Sequence, residues 1–156
     1  MPSGFPFSPL RPFGAGASST AQGARRGANL QRRRKVMEEL HAKATSVAAK
    51  FLERRGYEVL GTEIDTDAGI VDILAIDDNE DIVLVDVTVS ASPSEGHHVS
   101  SLSREQRECQ AACLMAGELL TEHVDCTVRF DEISLVVVKD NRGFLRHHIN
   151  AWGSCV

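Results

Sequence analysis

Between about residues 36 and 55, apolar side chains return every three or four positions, at Leu40, Ala44, Val47, Ala48, Phe51 and Leu52. That spacing predicts a helix with one buried stripe. Arg54 and Arg55 suit the negative end of its dipole, and Gly56 supplies the residue that stops it. Residues 57–60 alternate as a short first strand, and the polar, acidic stretch 62–69 predicts a turn or an irregular edge. Residues 70–76 and 81–90 are apolar nearly throughout, the pattern of strands covered on both faces. The short acidic link 77–80 makes them an antiparallel hairpin.

Residues 93–101, with Gly96 and the pair His97-His98, predict a loop. Ser103 and Gln106 have capping-box spacing, so a second helix starts there, with Ala112, Met115, Ala116, Leu119 and Leu120 as its buried stripe. A strand over 128–139, a turn over 140–143 and a last strand over 144–151 complete the chain. The order is α-β-β-β-α-β-β. The expected fold class is α/β, a mixed sheet flanked by helices.

Composition narrows the choice. At 156 residues, with 42% hydrophobic and 25% charged side chains, the chain is not collagen-like, fully disordered or a coiled coil. No run approaches the roughly 18 apolar residues of a membrane helix, so no membrane is expected as a partner. The net charge of −5 is the sum of two unlike parts. Residues 1–36 carry seven basic side chains and no acid, whereas residues 37–156 carry 10 basic and 22 acidic ones, a net −12. Prolines, glycines and small residues dominate residues 1–35, which predicts a disordered basic arm ahead of a folded domain over 36–156. Arg25, Arg26, Arg32, Arg33, Arg34 and Lys35 have the chemistry to attract a phosphate backbone. A solvated tail, or an extension ahead of the true start, is the bland alternative. Cys109, Cys113, Cys126 and Cys155 form no CxxC pair and read as small buried hydrophobes in a reducing compartment. Gly, Pro and Ser interrupt any leader-like apolar run, so the expected location is the cytoplasm.

Candidate chemistry centres on the hairpin, where Asp72 and Asp86 interrupt two apolar strands. A carboxylate in such surroundings is costly unless paired, hydrogen-bonded or bound to a cation. Two of them on neighbouring strands can hold a divalent metal through oxygen ligands; the alternative places them at a solvated edge. His97 and His98, with Glu95 nearby, and His147 and His148 read as exposed histidines. Asp131 reads as a structural acceptor or a partner of Arg129.

Five segments, in order, resemble the YraN-type family of small bacterial proteins, predicted endonucleases with a restriction-endonuclease-like fold related to Holliday-junction resolvases. Residues 48–57, AAKFLERRGY, resemble A-x-x-Y-L-x-x-x-G-Y; 69–74, GIVDIL, resemble G-E-I-D-L-I; and 83–88, VLVDVT, resemble V-F-V-E-V-K. Arg129-Phe130-Asp131 and Asn150-Ala151-Trp152 match R-F-D and N-A-F. The resemblance implies a Mg²⁺ nuclease site, with Asp72 and Asp86 as catalytic and metal-binding residues, and nucleic acid, including branched DNA, as partner. It also suggests a homodimer. The departures are as informative. Thr88 stands at the expected lysine and cannot stabilise a charged phosphate. Thr45 falls near the expected helix glutamate. The preceding segment, basic in the family, carries Glu63, Asp65 and Asp67. Lys43, Lys50 and Arg104 are the basic groups nearest to a replacement; Lys43 is expected to face away and Lys50 to be solvated. The expected function is therefore that of a nucleic-acid-associated protein with weak or no endonuclease activity. The alternative is a non-catalytic module whose acidic surface meets a basic protein partner.

Overall fold

The computed structural model describes residues 19–95, 97–123, 125–139, 142–152 and 154–155. By its contacts the chain divides into two units, 1–36 and 37–156. Helix α1 (Ser19–Arg54) begins well before the expected start at Val36. Residues 24–34 are mostly Ala, Gln, Leu and Arg, strong helix formers that sustain a helix with no core against them. The expected disorder over residues 19–35 is thus corrected to helix, while 1–18 lie outside the described residues. Arg25, Arg26, Arg32, Arg33, Arg34 and Lys35 are all exposed on it.

The 37–156 unit is built on a mixed sheet. Its strands are β1 (Glu58–Thr66), β2 (Gly69–Ile76), β3 (Ile82–Ser90), β4 (Val128–Lys139) and β5 (Arg142–His148), side by side in that order. All neighbours are antiparallel except β3 and β4, which are parallel and joined through α2 (Arg104–Met115). A two-residue β6 (Ser154–Cys155) adds to β4. The end of α1 is a Schellman stop: Gly56 takes φ 90, and the Tyr57 and Gly56 amides reach back to the Leu52 and Glu53 carbonyls at 3.1 Å. Ser103 and Gln106 complete the capping box that starts α2.

The strand period of two divides the apolar residues between two cores. Ala44, Ala48 and Leu52 of α1 pack with Ile73, Val83, Val85, Val87 and Ile133 on one face. Ala111 and Leu114 of α2 pack with Leu74, Ile82, Leu84 and Phe130 on the other. Three expectations need correction. β1 runs to Thr66 because its backbone pairs with β2 through Ile64↔Val71 and Thr66↔Gly69, with Ile64 turned inward between exposed acids. β5 stops at His148, where Asn150 at φ 53 turns the chain. Helix α2 ends at Met115, and its buried side is Arg107, Gln110, Ala111 and Leu114. Of the expected stripe only Leu120, in a following short turn, is buried; Met115 is half-buried, and Ala112, Ala116 and Leu119 are exposed. The same rotation leaves Cys109 exposed and Cys113 half-buried, rather than buried as expected; Cys126 is half-buried.

The R-F-D segment is a buried polar tie. Asp131, fully buried, accepts from Arg129 Nε at 2.9 Å and Nη2 at 3.2 Å, meets His147 Nε2 at 2.9 Å and accepts from the Asn150 amide at 2.7 Å. Arg129 also donates to Asp77 Oδ2 at 2.6 Å and to the Tyr57 hydroxyl at 3.2 Å. One guanidinium therefore ties β4 to the β2–β3 turn and to the chain after α1. His147, expected to be exposed, is instead buried beside Phe51 and Tyr57 because Asp131 gives it a partner; His148 is exposed. Burial alone raises the Asp77 and Asp131 carboxyls, but the hydrogen bonds from Arg129, His147 and backbone amides outweigh it and hold both below the ordinary value. No helix among the described residues is long and apolar enough to cross a membrane.

Arg129→Met leaves two buried carboxylates without their cation and is expected to cost about 3–5 kcal/mol in urea unfolding. In the wild type, the stability these carboxylates contribute is present above their ordinary value of 3.8 and lost as the pH falls below it. Acid titration of unfolding free energy should show that loss, and Asp131→Asn should reduce it.

Candidate functional site

The site arises where β2 leaves β3. Their ladder runs from Ile76↔Ile82 to Ile73↔Val85 and ends there. On the other side of β2, Glu63 of β1, between the pairs Thr62↔Ile73 and Ile64↔Val71, is held at φ 51. Beyond Ile73 the Val87 amide and carbonyl have no β2 backbone to meet. Two side chains replace it. Asp72 Oδ2 accepts from the Val87 amide at 2.7 Å, and His41 Nε2 of α1 meets the Val87 carbonyl at 2.9 Å. His41 Nε2 also lies 3.5 Å from Asp72 Oδ2, which makes the two an ion pair when the imidazole is protonated. The hydrogen-bonded Asp72 carboxylate raises the His41 pKa against the opposing effect of burial, to about 9. At neutral pH this histidine is a cation.

Asp86 lies on β3 beside the gap. It and Asp72 line one small cavity, of about 10 Å³, with Arg107, Gln110 and Leu102. That is room for about one water. Arg107, 3% exposed, enters from α2 and donates from Nη2 to Asp86 Oδ2 at 3.4 Å and to the Leu102 carbonyl at 3.3 Å. The Trp152 ring backs the guanidinium at 4.5 Å. Gln110 donates to the Ile70 carbonyl at 3.1 Å, satisfying another group on the separated part of β2. Burial raises the Asp86 carboxyl above its ordinary value; a Ser100 hydrogen bond and Arg107 pull it down, the Asp72 charge pushes it up, and burial prevails.

The structure therefore brings Asp72 and Asp86 together but gives each a cation from the chain itself. Mg²⁺ asks for near-octahedral oxygen ligands at about 2.0–2.1 Å and keeps several waters. The pair does not fit it: Asp72 Oδ2 is engaged by the Val87 amide and His41, Asp86 Oδ2 by Arg107, and the space between them holds about one water. Among the described residues no group of three or more His, Cys, Asp or Glu has metal-holding geometry. The other expected positions lie elsewhere. Thr45 is buried and donates to the His41 carbonyl at 3.1 Å, a local helix bond. Thr88 donates to the His98 carbonyl at 2.9 Å. Lys43 and Lys50 are exposed on α1, and Arg104 pairs with Glu108 at 2.8 Å. His98 is 3.6 Å from Glu95, and His97 Nδ1 meets Ser134 Oγ at 2.7 Å.

Sequence reasoning missed His41 and Arg107. Both had a signal. His41 is one helical turn before Thr45, hence on the same face. Arg107 and Gln110 precede Ala111 and Leu114 at the three- and four-residue spacing of a buried stripe.

His41 contributes stability that is fully present below its ordinary pKa of 6.5 and lost as the pH rises through about 9. Thermal unfolding across pH 6 to 10 should show this decline, and His41→Gln should flatten it. Asp72→Asn should return the His41 titration, followed by NMR, toward 6.5; an unchanged value would contradict the pairing.

Residues 44–135, more than half of the chain, match the family model described as "Uncharacterised protein family UPF0102". A UPF0102 protein of Chlorobaculum tepidum is 28% identical over 112 residues, covering 70% of this chain and 85% of the relative.

Proposed function

The chain belongs to the UPF0102 family, and from that premise we propose that it is a nucleic-acid-associated protein of nuclease ancestry with little or no phosphodiesterase activity. The observation that carries association is the run of six cations, Arg25, Arg26, Arg32, Arg33, Arg34 and Lys35, exposed on one continuous helix with no acid before Glu38. A helix presents such charges at fixed spacing to a phosphate backbone, and the attraction is independent of base sequence. The 37–156 unit, at net −12, repels phosphate rather than sharing in the binding.

The carboxylate pair supports the absence of cleavage. A phosphodiesterase of this type needs a cation to gather charge on the phosphate and a group to position water. Here the local cations, His41 and Arg107, are consumed by Asp72 and Asp86. Thr88, where a lysine would supply the missing charge, is hydrogen-bonded to the chain after β3. The acids Glu63, Asp65 and Asp67 are exposed and would oppose an approaching phosphate.

Binding to short duplex and branched DNA, followed by fluorescence anisotropy across a salt series, tests the reading. Changing the six cations to Gln should make the slope of log affinity against log salt shallower, by about 0.9 for each phosphate no longer neutralised. An unchanged slope would remove the helix as the binding element and leave the protein-interaction module as the better account. With Mg²⁺ or Mn²⁺, cleavage should not exceed that of Asp72→Ala; strong cleavage that vanishes in that variant would contradict the inactive site.

A further inference from the structure

Beyond Asp86, the α2 side of the sheet carries a row of polar side chains. Asp86 and Thr88 of β3 stand in register with Glu132 and Ser134 of β4, and Ser90 follows. A bare row of this kind would be an open hydrogen-bonding surface beside the carboxylate pair. It is covered. Ser90, Glu132 and Ser134 are buried, each at or below 5% exposure.

The cover is the chain between β3 and α2, and its anchors are hydrogen bonds. Thr88 Oγ1 donates to the His98 carbonyl at 2.9 Å, Ser134 Oγ meets His97 Nδ1 at 2.7 Å, and the Ser100 amide donates to Glu132 Oε1 at 3.1 Å. Nearer β3, Ser90 Oγ lies within hydrogen-bond distance of the Ser92 carbonyl and of Glu95 Oε2. The Ser100 hydroxyl accepts from the Leu102 amide at 3.1 Å, and the Leu102 carbonyl accepts from Arg107 at 3.3 Å. The last two bonds join the cover to the guanidinium that neutralises Asp86. Apolar anchoring is slight: Val99 is 71% exposed, His97 and His98 are exposed, and Leu102 is half-buried.

We propose that residues 97–102 are a latch over the polar row and the Asp86–Arg107 pair, clasped at Ser100 and able to open while the sheet stays folded. Water can replace each polar anchor as the segment lifts, so opening exposes little apolar surface. Opening would free Thr88, Glu132 and Ser134 and remove the Leu102 carbonyl from Arg107. The carboxylate pair and the row beside it would then become one accessible surface. This device is independent of the basic helix and of nucleic-acid binding.

Native-state hydrogen exchange on the full chain tests it. The Ser100 and Leu102 amides should exchange through a local opening, at least about 100-fold faster than the Val83, Val85 and Ile133 amides of the central strands. Thr88→Val combined with Ser134→Ala removes two anchors without touching Asp86, Arg107 or Glu132. It should speed exchange at Ser100 and Leu102 by at least about fivefold and leave the central amides unchanged. The chain has one tryptophan, Trp152, stacked on Arg107; its fluorescence should shift in the double variant at unchanged far-UV circular dichroism. Should the wild-type Ser100 and Leu102 amides exchange only as slowly as the central strands, the latch is wrong, whether or not the double variant folds. Equal exchange of these amides in wild type and a folded double variant would overturn it too.

Discussion

The parting of β2 from β3 past Ile73 is the constraint on which the rest of the site depends. It leaves the Val87 amide and carbonyl facing a place where no backbone stands, and buried backbone groups need partners. Asp72 supplies the acceptor and His41 the donor. The carboxylate that the motif marks as a metal ligand is thus a structural cap on a strand, and the histidine beside it is its counter-ion. A single geometric feature accounts for an aspartate in an apolar strand, for a raised histidine pKa and for the poor fit to magnesium.

A second polar tie connects the chain's end to this place. Asp131 holds the Asn150 amide, and two residues later Trp152 lies under Arg107, which reaches Asp86. The R-F-D and N-A-W segments, far apart in sequence, therefore act on one another. The first anchors the turn that delivers the second. Arg129, between Asp77 and Asp131, satisfies two buried carboxylates that neither strand could hold alone.

Much of the fold was legible. The hairpin showed in two uninterrupted apolar runs, the stop of α1 in Gly56, and the start of α2 in Ser103 and Gln106, because each signal is local. What escaped was set by distant partners. Ile64 turns inward between acids only because β2 pairs with it, so residues 62–69 read as a turn or an irregular edge. Arg107 and Gln110 are buried because Asp86 and the Ile70 carbonyl need donors, a demand no helix pattern displays. His147 read as exposed because the partner that buries it, Asp131, stands sixteen residues before it in the sequence. The helix over 19–35 escaped for a different reason: glycine and charge suggested disorder, while the helix propensity of Ala, Gln and Arg pointed the other way.

At the Asp72–Asp86 pair the chain supplies its own counter-charges, His41 and Arg107. Calorimetric titration of the full-length protein with Mg²⁺ and Mn²⁺ tests this most directly. No saturable binding is expected in the millimolar range, and no difference between the wild type and Asp72→Asn or Asp86→Asn. Stoichiometric binding to the wild type that either substitution abolishes would contradict it.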